Sequence, residues 1–178
     1  MNRRKILVGV VVLSLVGGVL FAATSTASHS VQLNVPEIVM MSLNSVATVT
    51  LSVQAPAQGG LPPVGQSDAS KVLWYTAVNA AGTHRNISVQ WGGADAAPAG
   101  TSLHVQATAV TGGCGTAGAA VQISNVASNI VTAIPSCVTG QAANGAQLTY
   151  TFQVDTPASL AVGDNHLVTL TFTLTDAS

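Results

Sequence analysis

Four histidines, two cysteines and six carboxylates hold most of the reactive chemistry open to this 178-residue chain. His29, His84, His104 and His166 have neither HxH nor HxxxH spacing, so no local pair is set to share a metal ion. His104 stands between Leu103 and Val105, on the polar phase of an alternating stretch, and is expected to face solvent. His84 and His166 lie next to turns, and His29 near the amino terminus. Serines are plentiful, but no G-x-S-x-G elbow occurs, since GQSDA at residues 65–69 lacks the final glycine. Asp155 and Asp164 bracket a turn without the dense oxygen spacing of a calcium loop. The expectation is a non-enzymatic protein with no catalytic residue, metal site or cofactor.

Cys114 and Cys137 are the only cysteines. In an exported chain an even pair most simply forms one disulfide, which by loop entropy contributes about 3 kcal/mol. Free thiols and half of a metal site are the alternatives, and neither cysteine has a CxxC partner or a nearby histidine. The aromatic residues offer a second kind of chemistry. Trp74 and Tyr75 are candidate stacking residues for a ligand such as carbohydrate, because an aromatic face is an apolar platform. Being adjacent in an extended run, one of the two must face in and the other out. Trp91 shares the phase of Ile87 and Val89 and is expected in the core.

Export is read from the first residues. MNRRKILVGVVVLSLVGGVLFAATSTASHS has a basic start at Arg3, Arg4 and Lys5, an apolar run, and then small polar residues. That layout is a secretory signal peptide. Ser25 and Ala27 suit positions three and one before a cut, giving a leader over residues 1–27 and one domain over residues 28–178. The competing reading is a retained membrane anchor, since the apolar run has about the roughly 20 residues a span requires. Beyond the leader only Lys71 and Arg85 are basic, against six acids, a formal charge of −4. Two cations cannot neutralise a run of phosphates, which excludes nucleic acid as a partner class. They also leave no polybasic patch for lipid headgroups, so membrane contact is expected only through the leader. With eight charges the mature chain falls far below the roughly 25% usual in soluble domains. Its polar faces must therefore be built from Thr, Ser, Asn and Gln.

The elements that position these residues follow a period of two. VATVTLSVQ (46–54), NISVQW (86–91), SLHVQATAV (102–110), QLTYTFQV (147–154) and HLVTLTFTLT (166–175) alternate apolar and polar side chains, as half-buried strands do. In the last of these Val168, Leu170, Phe172 and Leu174 are expected inward, with Thr169, Thr171, Thr173 and Thr175 outward. Weaker strand signals lie at residues 30–35, 38–43, 72–78 and near Val121, and residues 129–134 are ambiguous. PASLAVG at 157–163 reads as one short helical turn. No segment holds a helical period for roughly twelve residues. An all-β antiparallel sandwich of immunoglobulin-like type, with about seven to nine strands, is the fold class expected.

The stretches PASLAVGDNHLVTLTFTL and VQLNVPEIVMMSL carry a resemblance. They look like the closing corner and strand, and the first mature strand, of secreted bacterial immunoglobulin-like and fimbrial sandwiches, spore-coat-U and pilin-type subunits among them. The resemblance implies a secreted or cell-surface structural or adhesive subunit. Its partners would be copies of itself or other surface proteins, joined by strand-mediated contacts through Val31, Leu33 and Val35. The chain departs from pilin-type subunits in carrying its cysteine pair in the second half and in ending without an aromatic residue. A monomeric secreted module binding carbohydrate or protein is the alternative.

Overall fold

The computed structural model describes residues 25–93, 96–108, 112–142, 144–163 and 165–177. Nearly all of the expected leader, together with Asp95, Ala109 and Asp164, lies outside the described residues. The chain divides into two units, Met1–Asn34 and Val35–Ser178. Residues 25–34 of the first unit are exposed and form no strand, so the weak strand signal there has no counterpart in the structure.

The second unit is a sandwich of two antiparallel sheets with ten strands among the described residues. They are β1 (Ile38–Leu43), β2 (Gln66–Val78), β3 (Arg85–Trp91), β4 (Thr101–Ala107), β5 (Thr116–Ala117), β6 (Val121–Gln122), β7 (Ser128–Ile134), β8 (Cys137–Val138), β9 (Ala146–Val154) and β10 (Leu170–Asp176). The first sheet runs β1-β2-β9-β4-β6, with β8 on β2 opposite β1; the second runs β10-β3-β7-β5. The count exceeds expectation because β5, β6 and β8 are two-residue pieces inside Gly-rich connections. A short 3-10 turn, Pro157–Ser159, falls where one helical turn is expected.

Period two converts directly into a core. Leu73, Tyr75 and Ala77 of β2, Ala146, Leu148 and Tyr150 of β9, Val105 and Ala107 of β4, and Ile87 and Val89 of β3 all point between the sheets and are buried. β7 breaks the rule, and this is why its sequence is ambiguous. Ile130 and Val131 are consecutive and both fully buried. The β3–β7 register slips between Arg85 and Ile87 and again between Ile87 and Ser88, and Ala133 takes a φ of 53°. Bulges of this kind let neighbouring residues share a face.

Residues 47–54 depart from expectation in a different way. Val49, Leu51 and Val53 are half-buried, and the polar residues between them are exposed, as the alternation requires. The stretch nevertheless forms no ladder, only an isolated bridge between Gln54 and Val64. The β1–β2 pairing ends where Asn44 N–H donates to Val72 O. Beyond that point side chains replace backbone bonds: Lys71 Nζ donates to Ala47 O, and Gln66 Oε1 accepts from Ser52 N–H at 3.1 Å. The buried Lys71 therefore occupies an inward position of β2 because a carbonyl of the covering segment satisfies it.

Arg85, also buried, joins the ends of the sandwich. Its guanidinium pairs with Glu37, just ahead of β1, and with Asp176 at the end of β10, the latter at 3.0 Å. Its Nε donates to Asn79 Oδ1 at 3.0 Å.

Candidate functional site

β1 and β10 are edge strands of the two sheets and approach each other. The hydrogen-bond phase of each edge follows from the flanking bonds. Gly92 N–H donates to Thr169 O and Ala177 N–H to His84 O. Odd-numbered residues of β10 thus exchange bonds with β3, and the N–H and C=O groups of Leu170, Phe172 and Leu174 point to the open edge. On β1 the bond from Asn44 to Val72 assigns the even residues to β2 and leaves Val39, Met41 and Leu43 outward along the edge.

The side chains of these same residues turn toward the core without being enclosed. Leu170, Phe172, Leu174, Met41 and Leu43 are half-buried, and Val39 is 40% exposed. Edge strands are ordinarily blunted by lysine, proline or inward charge. β1 has no charged residue or proline, and β10 has only Asp176, which Arg85 holds. The result is an apolar seam with free backbone groups on both lips.

Val31, Leu33 and Val35 precede β1, alternate with Gln32 and Asn34, and are 67%, 87% and 79% exposed. They belong to no strand in the structure. Their pattern is that of a strand with one apolar face.

The disulfide is present between Cys114 and Cys137, with Cα atoms 5.7 Å apart. It ties the loop ahead of β5, in the second sheet, to β8, in the first. Tyr75 anchors the same place: its hydroxyl donates to Cys114 O at 2.6 Å, its N–H donates to Thr139 Oγ1 at 3.1 Å, and Thr139 N–H donates back to Tyr75 O at 3.0 Å. Tyr75 is 3% exposed, which corrects its candidacy as a stacking residue; β2 turns it inward and Trp74 outward. Burial drives the Tyr75 hydroxyl far above the usual phenol range. Burial, assisted by the charge of Asp68, pushes Tyr150 up to about 12. Asp68 itself is held low by hydrogen bonds from the Ser70 hydroxyl and N–H.

Sequence reasoning missed one pair. Ser102 and His104 share the outer face of β4, and Ser102 Oγ lies 3.1 Å from His104 Nε2. Their two-residue spacing was the available signal. Ser102 is 4% exposed, and no carboxylate among the described residues hydrogen-bonds His104. No cluster of three or more His, Cys, Asp or Glu gathers among the described residues, and none of their helices is long and apolar enough to cross a membrane. Comparison with protein-family models, curated proteins and solved structures finds no match.

Proposed function

We propose that this chain is a secreted or cell-surface structural subunit, non-catalytic, that assembles with copies of itself or with other surface proteins through strand-mediated contacts. The observation that carries the reading is the seam between β1 and β10, open along both edges and lined by half-buried Leu170, Phe172 and Leu174. A strand added there would satisfy the free backbone groups and complete the burial of those side chains. The exposed alternation of Val31, Leu33 and Val35 supplies such a strand from a neighbouring subunit. An inter-sheet disulfide suits an oxidising exterior. Faces of threonine, serine and glutamine, poor in charge, suit surfaces that lie against neighbours.

Electron microscopy and sedimentation of the mature protein test this reading. The full mature chain forms filaments, sheets or discrete oligomers, and a chain lacking residues 28–36 is exported, folds and stays monomeric. Normal assembly of the truncated chain, or a full chain monomeric at every concentration, rejects it.

A further inference from the structure

The outer face of the first sheet changes character along β2. Near the start of β2 it is a polar row: Ser67, Thr151 of β9, His104 of β4 and Gln122 of β6 are successive cross-strand partners, and Ser67 Oγ donates to Thr151 Oγ1 at 3.2 Å. Toward the end of β2 the same face carries an aromatic ring. Trp74 pairs across to Ser42 of β1, and the next row is Met40, Thr76 and Val138, drawn from β1, β2 and β8. Met40 and Val138 are 67% and 66% exposed. Together with Gly140 and Gln141 of the following turn they border a cavity of about 260 Å³.

Two details set this cavity apart from a chance apolar patch. Gly145 (φ 129°) seats the indole: a Cβ there would come within 2.9 Å of Trp74 Cδ1 and 2.5 Å of Leu73 O. The indole N–H is enclosed yet has no hydrogen-bond acceptor, and it is the one buried side-chain polar atom so left among the described residues. An enclosed donor without a partner costs about 1–3 kcal/mol, so the indole is fixed by its packing and would meet a ligand through its ring rather than through its N–H.

The lining selects the ligand. It holds no charged side chain, so a charged ligand gains no counter-ion. A purely apolar ligand would cover the Ser42 and Thr76 hydroxyls and the Gln141 amide without pairing them. A sugar ring has what remains: an apolar C–H face for the indole and methionine, and a rim of hydroxyls that both donate and accept. The cavity lies just below the ~300–1,000 Å³ of sites for drug-sized ligands, which limits it to a single sugar unit of a longer chain. We propose that Trp74, with Ser42, Thr76 and Gln141 around it, forms a subsite for a neutral saccharide. This is an adhesive activity separate from assembly through the seam, and it stands whether or not the chain polymerises.

The test uses the mature, disulfide-bonded protein and a panel of neutral oligosaccharides built from glucose, galactose, mannose or N-acetylglucosamine, with a polyuronic acid as the charged control. Titrations follow the two indole N–H resonances by NMR. At least one neutral oligosaccharide shifts the Trp74 resonance and leaves Trp91 unmoved. Trp74→Ala weakens that binding by about tenfold or more, as loss of an aromatic anchor does. Met40→Ala, at an exposed position that folding tolerates, weakens it less but measurably, and keeps the test open if the tryptophan variant misfolds. No shift with any neutral probe at millimolar concentration, tighter binding of the polyuronate, or undiminished binding by a folded Trp74→Ala protein overturns the proposal.

Discussion

β9 and β10 carry nearly the same text, alternating Leu, Tyr or Phe with Thr, yet they occupy opposite situations. β9 lies between β2 and β4, and its Leu148 and Tyr150 are 0% and 6% exposed. β10 pairs with β3 on one side and with no strand on the other among the described residues, and its Leu170, Phe172 and Leu174 are only half-buried. Pattern sets which way a side chain points. How far it leaves water depends on what covers it, and strands flank both edges at Leu148 and Tyr150. The seam beside β10 is thus an unfinished version of the environment β9 already has.

Substitutions that exploit this difference rank as follows. Leu148→Ala removes a fully buried side chain flanked on both edges and is expected to cost about 3–5 kcal/mol in chemical denaturation, by lost transfer energy and the cavity left. Replacing Cys114 and Cys137 together by serine frees the loop before β5 from β8 and is expected to cost about 2–4 kcal/mol, measured in the same way with and without reductant on the parent.

Phe172→Ala is expected to cost only about 1–2 kcal/mol in the monomer, because a half-exposed ring has already forfeited part of its burial energy. If the chain assembles as proposed, the cost in the assembled state is expected to rise toward that of Leu148→Ala, so measuring Phe172→Ala at low and at high protein concentration tests whether the seam becomes filled. A Phe172 penalty equal to that of Leu148 in monomer would mean that β10 is covered within its own chain.

Alkali probes the closed side alone. The folded-state value of Tyr150, about 12, stands above the ordinary phenol value of 10.0. The stability it contributes is complete below pH 10 and is lost as pH rises through about 12. At pH 11 the loss is about 1 kcal/mol. Tyr75 and Tyr150 are the only tyrosines, so phenolate absorbance should stay low near pH 10 and rise together with unfolding. Early, independent ionisation of either tyrosine would contradict their burial. Smallest of all, Thr171→Ala on the outer face of β10 is expected within about 0.5 kcal/mol of the parent. A larger loss in assembled protein alone would place a neighbour on that face.

The readable and unreadable features divide by physical scale. Period two in NISVQW and QLTYTFQV is a property of consecutive residues, and it predicted the inward sets of β3 and β9. It also gave the phase of residues 47–54 but not their state, because a strand needs a partner backbone, and here Lys71 and Gln66 take that place with their side chains. β7 resisted reading because a bulge removes the very period being read. Tyr75 and Trp74 were known to face opposite ways. Which of them faced inward depended on the sheet that packs over β2.

Alone, the sequence determined an all-β chain, the inward phase of its regular strands, a single cysteine pair and a low content of charged residues. These follow from local periodicity and composition, which neighbours cannot alter. Tertiary structure alone decided that the disulfide joins two sheets, that Ser102 meets His104, that Gly145 seats Trp74 over an uncharged cavity, and that β1 and β10 leave one side of the sandwich open. Each of these depends on strand order and on which edges go unpaired, quantities set by contacts between residues far apart in the chain.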